Sequence, residues 1–490
     1  MSGAGGEMVA IHSSDAIALE DADDRWTYAG MHQEIWMFAA KLLARRTRVL
    51  ATFMDNSPAW VVADAAAAAA GVLHVPLPVF FTNEQIAHAL RSAGVDTVVT
   101  MPALARHWTE APREMCQVAR QPLALIRLQA LPAAVPPGTA KITFTSGTTS
   151  APKGVCLDLQ AMQRVAAGLV RATEFLDIRR HLCALPLPVL LENIAGVMAP
   201  LSRGAVCIVP PLEEVGLSGS SNFDAARFHA SVVRFRPDSV ILLPQMLRAW
   251  VDYLQHSHEP APASLRMAAV GGAAVGERLL RAARARGIPA YEGFGLSEGA
   301  SVQTLNLPGA DRPGSAGRPL PHARVRIAAD GEIEIAGSLM SGYLGEPRAR
   351  SAWWPTGDLG RIDPDGFLHV HGRKKHVLIT AFGRNVSPEW VESELGSQPP
   401  VAQAAVFGDS HAALSAVIWP AAGEPGDTEL QVAVDAANTL LPDYARVHRW
   451  VRARAAFSPA TGLATANGRP RREAILQLHA DALGIEPAAI

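Results

Sequence analysis

Two hydrophobic rhythms alternate along the chain. Helix-like stretches such as Ser57 to Ala70 alternate with short β-rich runs such as Thr97 to Thr100, Ala205 to Val209, Val240 to Leu243 and Met267 to Val270. That alternation predicts α/β layers built on parallel strands. The longest apolar stretch, Ala65 to Phe81, opens as a run of alanines and carries His74, Pro76 and Pro78. It reads as a buried helix followed by a strand, not as a membrane span. A Pro-rich connector, Leu131 to Gly138, leads into the strand-like run Lys141-Ile142-Thr143-Phe144, which ends in small and hydroxylated residues before Val155 to Leu159 continues as a strand. After Asp311 the rhythm shortens: Val325 to Ile327 and Glu332 to Ile335 flank Asp330-Gly331, and Asp363-Pro364-Asp365-Gly366 precedes Phe367 to His371. Both are hairpin signals and predict a β-rich subdomain on the α/β body. The remaining hundred or so residues read as a small α+β unit, with Pro388 to Leu395 opening a helix and Gln403 to Val406 a strand. There is no internal repeat and no coiled-coil heptad.

Composition narrows the functional classes. At 490 residues, with 49% hydrophobic and 18% charged, the chain is long enough for two or more domains and far from the composition of disorder. Lys+Arg 44 against Asp+Glu 46 leaves a formal charge of -2, so no global field recruits nucleic acid or an acidic membrane, and any anion site must be local. Cys116, Cys156, Cys183 and Cys207 lack Cys-x-x-Cys spacing and read as buried free thiols of a reducing compartment. Met1 to Glu7 has neither the basic start nor the apolar run of an export signal, so a cytoplasmic location is expected.

Thr145-Ser146-Gly147-Thr148-Thr149-Ser150-Ala151-Pro152-Lys153-Gly154 concentrates five hydroxyls, two glycines and a lysine in ten residues. Small residues let backbone N–H groups approach a polyanion, hydroxyls add donors and the ammonium adds charge, which is phosphate-binding chemistry. It is not a Walker loop, because Gly154 follows Lys153 where Ser or Thr belongs. An ordinary surface loop has the same composition. Further motifs break the tie: YEGFGLSE at Tyr291 to Glu298, TGD at Thr356 to Asp358, GRKK at Gly372 to Lys375 and GRNVSPEWVE at Gly383 to Glu392 follow in order. Together the five strings resemble the acyl-adenylate-forming, or AMP-binding, superfamily. With RPGSAGRPLP at Arg312 to Pro321, they look closest to long-chain fatty acyl-CoA synthetases.

The resemblance implies a large N-terminal domain, residues 1–371, a hinge at 372–375 centred on Lys375, and a small mobile C-terminal domain, 376–490. It implies that Thr145, Ser146, Gly147, Thr148, Thr149 and Lys153 hold the β- and γ-phosphates of ATP. Gly271, Gly272 and Ala273 admit the adenine, Phe294 stacks on it, and Glu292, Gly293 and Gly295 belong to the same nucleotide-binding stretch. Ser297 faces the α-phosphate, Glu298 and Thr145 face Mg²⁺, and Asp358 with Arg373 receives the ribose. Lys153, Ser297, Glu298 and Arg469 carry the catalysis. Gly383, Arg384 and Asn385 face the incoming thiol, and Leu191, Asn193 and Gly196 line the acid pocket.

One departure bears on the chemistry. Relatives carry a lysine after a glycine near the C-terminus, which bridges substrate carboxylate and nucleotide, whereas this chain has Arg469 after Gly468 and no lysine beyond Lys375. Arginine keeps the charge and can fork onto a carboxylate, but it is bulkier and less compact as a point charge. Two smaller departures are Ser150 in the place of a glycine and the run Leu185 to Asn193. That run lacks the aromatic or histidine gate of relatives and any aspartate placed for an α-ammonium group. It points to a hydrophobic acid, fatty or aromatic, though its leucines serve a core equally well. His369, His371 and His376 cluster near a strand end; solvated strand residues are the default reading and a metal trio the rival.

The expectation is therefore an acid–thiol ligase. It would form an acyl-AMP from ATP, Mg²⁺ and a hydrophobic carboxylic acid and pass the acyl group to a pantetheine thiol. CoA is the first choice of acceptor and an acyl carrier protein the alternative. A nucleotide-binding protein with adenylation impaired by Arg469 is the rival class.

Overall fold

The computed structural model describes residues 13–145, 152–219, 222–347, 351–376, 378–379, 385–408, 413–465 and 468–485. Two nine-stranded sheets carry the N-terminal body. In the first, Ala290–Leu296, Met267–Val270, Ser239–Leu242, Arg180–Leu182, Val206–Ile208 and Ile17–Glu20 run parallel, each hydrogen-bonded to the next. In the second, Leu73–Pro76, Val49–Phe53 and Thr97–Thr100 are parallel, while Thr139–Thr145 pairs antiparallel with Lys153–Asp158. A four-stranded antiparallel sheet follows in the order Ala323–Ile327, Glu332–Gly337, Trp354–Ile362, Leu368–Arg373, so both hairpin signals become hairpins.

Local chemistry explains the boundaries. The alanine run is the helix Pro58–Ala69, with Pro58 in its first turn and the Ser57 hydroxyl accepting the Trp60 N–H. It is buried on nearly every side, and Leu73–Pro76 follows it as a central strand. The strand expected to run to Leu159 stops at Asp158, whose carboxylate accepts the Ala161 N–H at 2.6 Å and starts the helix Leu159–Ala172. No helix among the described residues is long and apolar enough to cross a membrane.

The C-terminal unit stands on its own core. Val401–Phe407, Leu414–Pro420 and Val447–Arg452 form a mixed three-stranded sheet, accompanied by the helices Pro388–Gly396, Asp427–Thr439 and Arg472–Leu483. Its two hydrophobic clusters draw only on residues from Leu378 onward. The two bodies meet at a few polar points, among them Arg278 donating to Gln398 at 3.1 Å. At the joint, Gly372 has φ +143°, and a Cβ there would lie 1.9 Å from Ser387 Oγ. Only glycine fits that approach.

A buried polar network ties the layers of the body together. Lys141, in the strand that leads to the hydroxyl-rich loop, bonds Asp64 at 2.8 Å and also Asn193; Asp64 further holds His74 at 2.6 Å. Burial alone would raise the Asp64 carboxyl, but Lys141 and His74 outweigh it and hold the group well below the usual carboxylate range. Removing the anion strands a buried ammonium. Asp64→Ala is expected to cost about 3–5 kcal/mol in chemical denaturation, with much of it recovered in the Asp64→Ala/Lys141→Met double variant.

Candidate active site

The first wall of the cleft is the strand pair Thr139–Thr145 and Lys153–Asp158. Thr145 and Lys153 are direct cross-strand partners, and the Thr145 hydroxyl donates to the Lys153 carbonyl at 3.4 Å. Ser146, Gly147, Thr148 and Thr149 lie outside the described residues. Lys153 is exposed, its ammonium 5.2 Å from the centroid of the Tyr343 ring.

The second wall comes from Ala290–Leu296 and its neighbours. Glu292 is buried and accepts the Val275 N–H at 3.1 Å, so its carboxylate shapes the turn that holds Gly271, Gly272 and Ala273. Burial, with a smaller push from Asp311, raises that carboxyl to about 7. Gly272 has φ +88°, a conformation that favours glycine. Gly293 and Gly295 are demanded by the fold itself: a Cβ would meet Thr304 O at 2.9 Å and Ser301 O at 2.2 Å. Phe294 and Ser297 are half-buried in the same strand and the turn that follows it. Just after Glu298 the chain holds Ala300 at φ 54° and Ser301 at φ 99°, backbone strain concentrated beside a candidate ligand. Glu298 accepts the Tyr343 hydroxyl at 2.8 Å through Oε1, and its carbonyl accepts the Met340 N–H at 2.8 Å.

Asp358 and Arg373, separated in sequence, are direct cross-strand partners. Arg373 Nε stands 2.8 Å from Asp358 Oδ1, and Arg373 Nη1 donates to the Thr356 carbonyl at 3.1 Å. The Thr356 hydroxyl accepts the Asp358 N–H at 3.1 Å, and Glu332 accepts the Gly357 N–H at 2.8 Å, which fixes the turn. Burial pushes the Asp358 carboxyl up to about 6 in spite of Arg373 and Arg469, with Glu389 and Glu298 adding to the rise.

Arg469 closes the cleft from the small domain. The turn that carries it is pinned twice by Thr465, whose N–H donates to the Arg469 carbonyl at 2.8 Å and whose hydroxyl accepts the Arg469 N–H at 3.1 Å. Its guanidinium crosses to the large domain, where Nη2 donates to the Gly272 carbonyl at 3.3 Å. Part of the side chain faces solvent, yet desolvation in the cleft and the nearby Arg373 draw its pKa down while Asp358, Glu298 and Glu389 pull it back. It stays cationic at every working pH.

The residues expected to line the acid pocket separate. Leu191 is half-buried. Asn193 is engaged elsewhere, donating to Asp64 at 2.9 Å and accepting from Lys141, and Gly196 lies beneath Glu192, where a Cβ would sit 1.9 Å from Glu192 Oε1. All three flank or occupy a π-helical turn, Glu192–Met198. Glu192 is fully buried: one oxygen stands 3.1 Å from His181 Nε2 and the other accepts the Leu185 N–H at 3.0 Å. His181, Cys183 and Glu192 are the only group with metal-like spacing among the described residues, and their polar atoms are already partnered. His369 bonds Asp363 at 3.0 Å and His376 bonds Glu389 at 2.7 Å. Lys375 is exposed, and Lys374 is tied to Asp330 and Glu332 at 2.6 and 2.8 Å. Asn385 lies on the short strand Asn385–Val386, while Gly383 and Arg384 lie outside the described residues. Tyr343, Glu332 and Glu389 escaped sequence reasoning, since no charge pattern or spacing sets them apart.

A lysine at a strand end, an acid near it, a buried aspartate paired with arginine and a cation from a second body are groups that would suit a nucleotide polyanion. Comparison with known proteins agrees. Residues 7–344 match the model of the AMP-binding enzyme family and residues 375–484 that of the AMP-binding enzyme C-terminal domain. The chain belongs to the AMP-binding enzyme family. Among curated relatives, the long-chain-fatty-acid–CoA ligase FadD15 of Mycobacterium bovis is 29% identical over 428 residues, 73% of this chain and 70% of that protein. The indoleacetate–CoA ligase of Aromatoleum aromaticum is 32% identical over 290 residues, 54% of each. Among solved structures, the anthranilate CoA ligase AuaEII in complex with anthranoyl-AMP superposes with a TM-score of 0.78 at 19% identity, covering 96% of this chain and 94% of that one. The fold is thus the adenylating-enzyme fold.

The raised Asp358 pKa has a measurable consequence. In the free protein its ionisation opposes folding, so its contribution to stability is present at low pH and is lost as pH rises through about 6. A ribose that donates to the carboxylate reverses that preference. AMP binding near pH 6 is therefore expected to release a proton, and affinity is expected to fall by up to about tenfold per pH unit below that value. Calorimetry in buffers of different ionisation enthalpy checks both, with Asp358→Asn expected to abolish this component.

Proposed function

We propose that this AMP-binding enzyme is an acid–CoA ligase. It activates a hydrophobic carboxylic acid with ATP as the acyl-AMP and transfers the acyl group to the thiol of CoA. The observation that carries the reading is the reach of Arg469 across the cleft to the Gly272 carbonyl, within the electrostatic field of Asp358 and Glu298. In the first step a carboxylate oxygen attacks the α-phosphorus and pyrophosphate departs. Both partners are anions, so the protein must neutralise and align them. In this reading Lys153 would meet the departing phosphates, Arg469 the carboxylate and α-phosphate, and Asp358 with Arg373 the ribose. In the second step the thiol adds to the acyl carbonyl, the bond to phosphate breaks, and AMP leaves while the thiol proton passes to solvent.

Glu298 and Thr145 suit Mg²⁺. Glu298 makes no ion pair among the described residues, and its carboxylate keeps acceptor capacity beside the Tyr343 bond, a hard oxygen donor for a hard cation. The ion would supply charge neutralisation on phosphate oxygens. Leu185, Leu187 and Leu190 are buried in the core, so the preference for an apolar acid rests on Glu192, whose carboxylate is consumed by His181 and the Leu185 N–H. No free acid is left there for an α-ammonium group. Free Cys116, Cys156, Cys183 and Cys207 support work in a reducing cytoplasm.

A panel of fatty, aryl and amino acids, assayed for ATP-dependent AMP release with and without CoA, tests the reading. Release with an apolar acid, and a matching acyl-CoA by mass spectrometry, is the expected outcome. Acylation of a carrier protein but not CoA would move the acceptor, and no AMP release across the panel would overturn the function.

A further inference from the structure

Lys153 and Glu298 pose a problem that the site must solve before any nucleotide arrives. They carry opposite charges, they line the same cleft, and Lys153 is exposed enough to swing. Two such side chains left to themselves form an ion pair, and a paired site has cancelled the charges that a Mg-triphosphate needs. They are nonetheless not paired with each other among the described residues. Both meet Tyr343. Its ring lies under the Lys153 ammonium at 5.2 Å from the centroid, and its hydroxyl donates to Glu298 Oε1 at 2.8 Å.

Tyr343 itself has little freedom. Its strand pairs antiparallel with Lys153–Asp158, and Tyr343 is the Cα partner of Val155. Its ring packs edge-on to Trp354 at 6.1 Å, and two residues on, the Gly345 N–H donates to the Ala134 carbonyl at 3.2 Å. The Met340 N–H donates to the Glu298 carbonyl at 2.8 Å, so the same segment grips Glu298 by backbone and by side chain. Burial first and Glu298 next push the phenol well above its ordinary value, which keeps it a donor.

We infer that Tyr343 is a positioning residue that spaces Lys153 from Glu298, cushioning the ammonium on its ring face and holding the carboxylate on its hydroxyl, so that both charges remain available to a metal-bound triphosphate. This rests on the proposed roles of Lys153 toward phosphate and Glu298 toward Mg²⁺. The cation–π contact leaves the ammonium charge uncancelled for phosphate, whereas a Lys–Glu ion pair would neutralise both groups.

Calorimetric titration with ATP, with and without Mg²⁺, separates the two halves of the device. Tyr343→Phe keeps the ring and loses the hydroxyl. Its affinity for ATP with Mg²⁺ is expected to fall on the order of tenfold, the scale of one hydrogen bond to a charged group, with affinity for metal-free ATP unchanged. Tyr343→Leu removes the cushion as well: affinity falls under both conditions, and its ligand-free crystal structure has Lys153 and Glu298 in an ion pair. If Tyr343→Phe binds ATP like the wild type, or loses affinity equally with and without Mg²⁺, the inference is overturned. A wild type that binds no ATP at all would instead sink the underlying function, so the two failures are distinguishable.

Discussion

Bringing two anions into bonding contact is the constraint on which the rest of this structure depends. A carboxylate and a triphosphate repel each other, and water screens that repulsion only while both remain solvated. The cations proposed to meet that constraint come from different parts of the fold. Lys153 stands on a hairpin of the second sheet, Arg373 on the antiparallel subdomain, and Arg469 on a turn of the small domain. Burial and then Arg373 lower the Arg469 pKa, and Asp358, Glu298 and Glu389 act against them.

The choice of cation at each place has a physical logic. The chain uses arginine almost throughout, with lysine only at 41, 141, 153, 374 and 375. Three of these, Lys41, Lys141 and Lys374, are held by short ion pairs. Lys141 fits between Asp64 and Asn193 in a space with almost no exposure, and Lys153 sits on an aromatic face. Arg469 occupies a wider place, open on one side to solvent, with a backbone carbonyl to fork against. A bulkier guanidinium fits there, which is why the departure from the family's lysine is compatible with the geometry.

The sequence disclosed the scaffold better than the support of the site. Thr97–Thr100 and Met267–Val270 were legible to the residue, the first as a β-branched run and the second as a short apolar run ahead of a Gly-Gly turn signal. Asp358 and Arg373 were legible as motifs, but their pairing across two strands depends on register, which a string does not display. The π-helical turn Glu192–Met198 was hidden, since seven residues do not distinguish its period from an α-helix. Of its residues, Asn193 and Gly196 read in sequence as lining the acid pocket. In the fold Asn193 is bound by Lys141 and Asp64, a strand and a helix residue far away in the chain, while Glu192 is bound by His181 on the nearby strand Arg180–Leu182, and such pairings are not displayed by a string. Tyr343 was invisible for the same reason: its importance is a matter of what its strand lies beside.

The central claim is that Arg469, delivered by the small domain, supplies the charge that lets the acid reach the nucleotide. Acid-dependent exchange of labelled pyrophosphate into ATP reads that step alone, before any thiol is involved. Arg469→Ala should lower the exchange rate on the order of a hundredfold, the scale of one lost transition-state donor, with ATP affinity changed far less and Arg469→Lys retaining activity. Equal exchange rates in the wild type and Arg469→Ala would contradict the account.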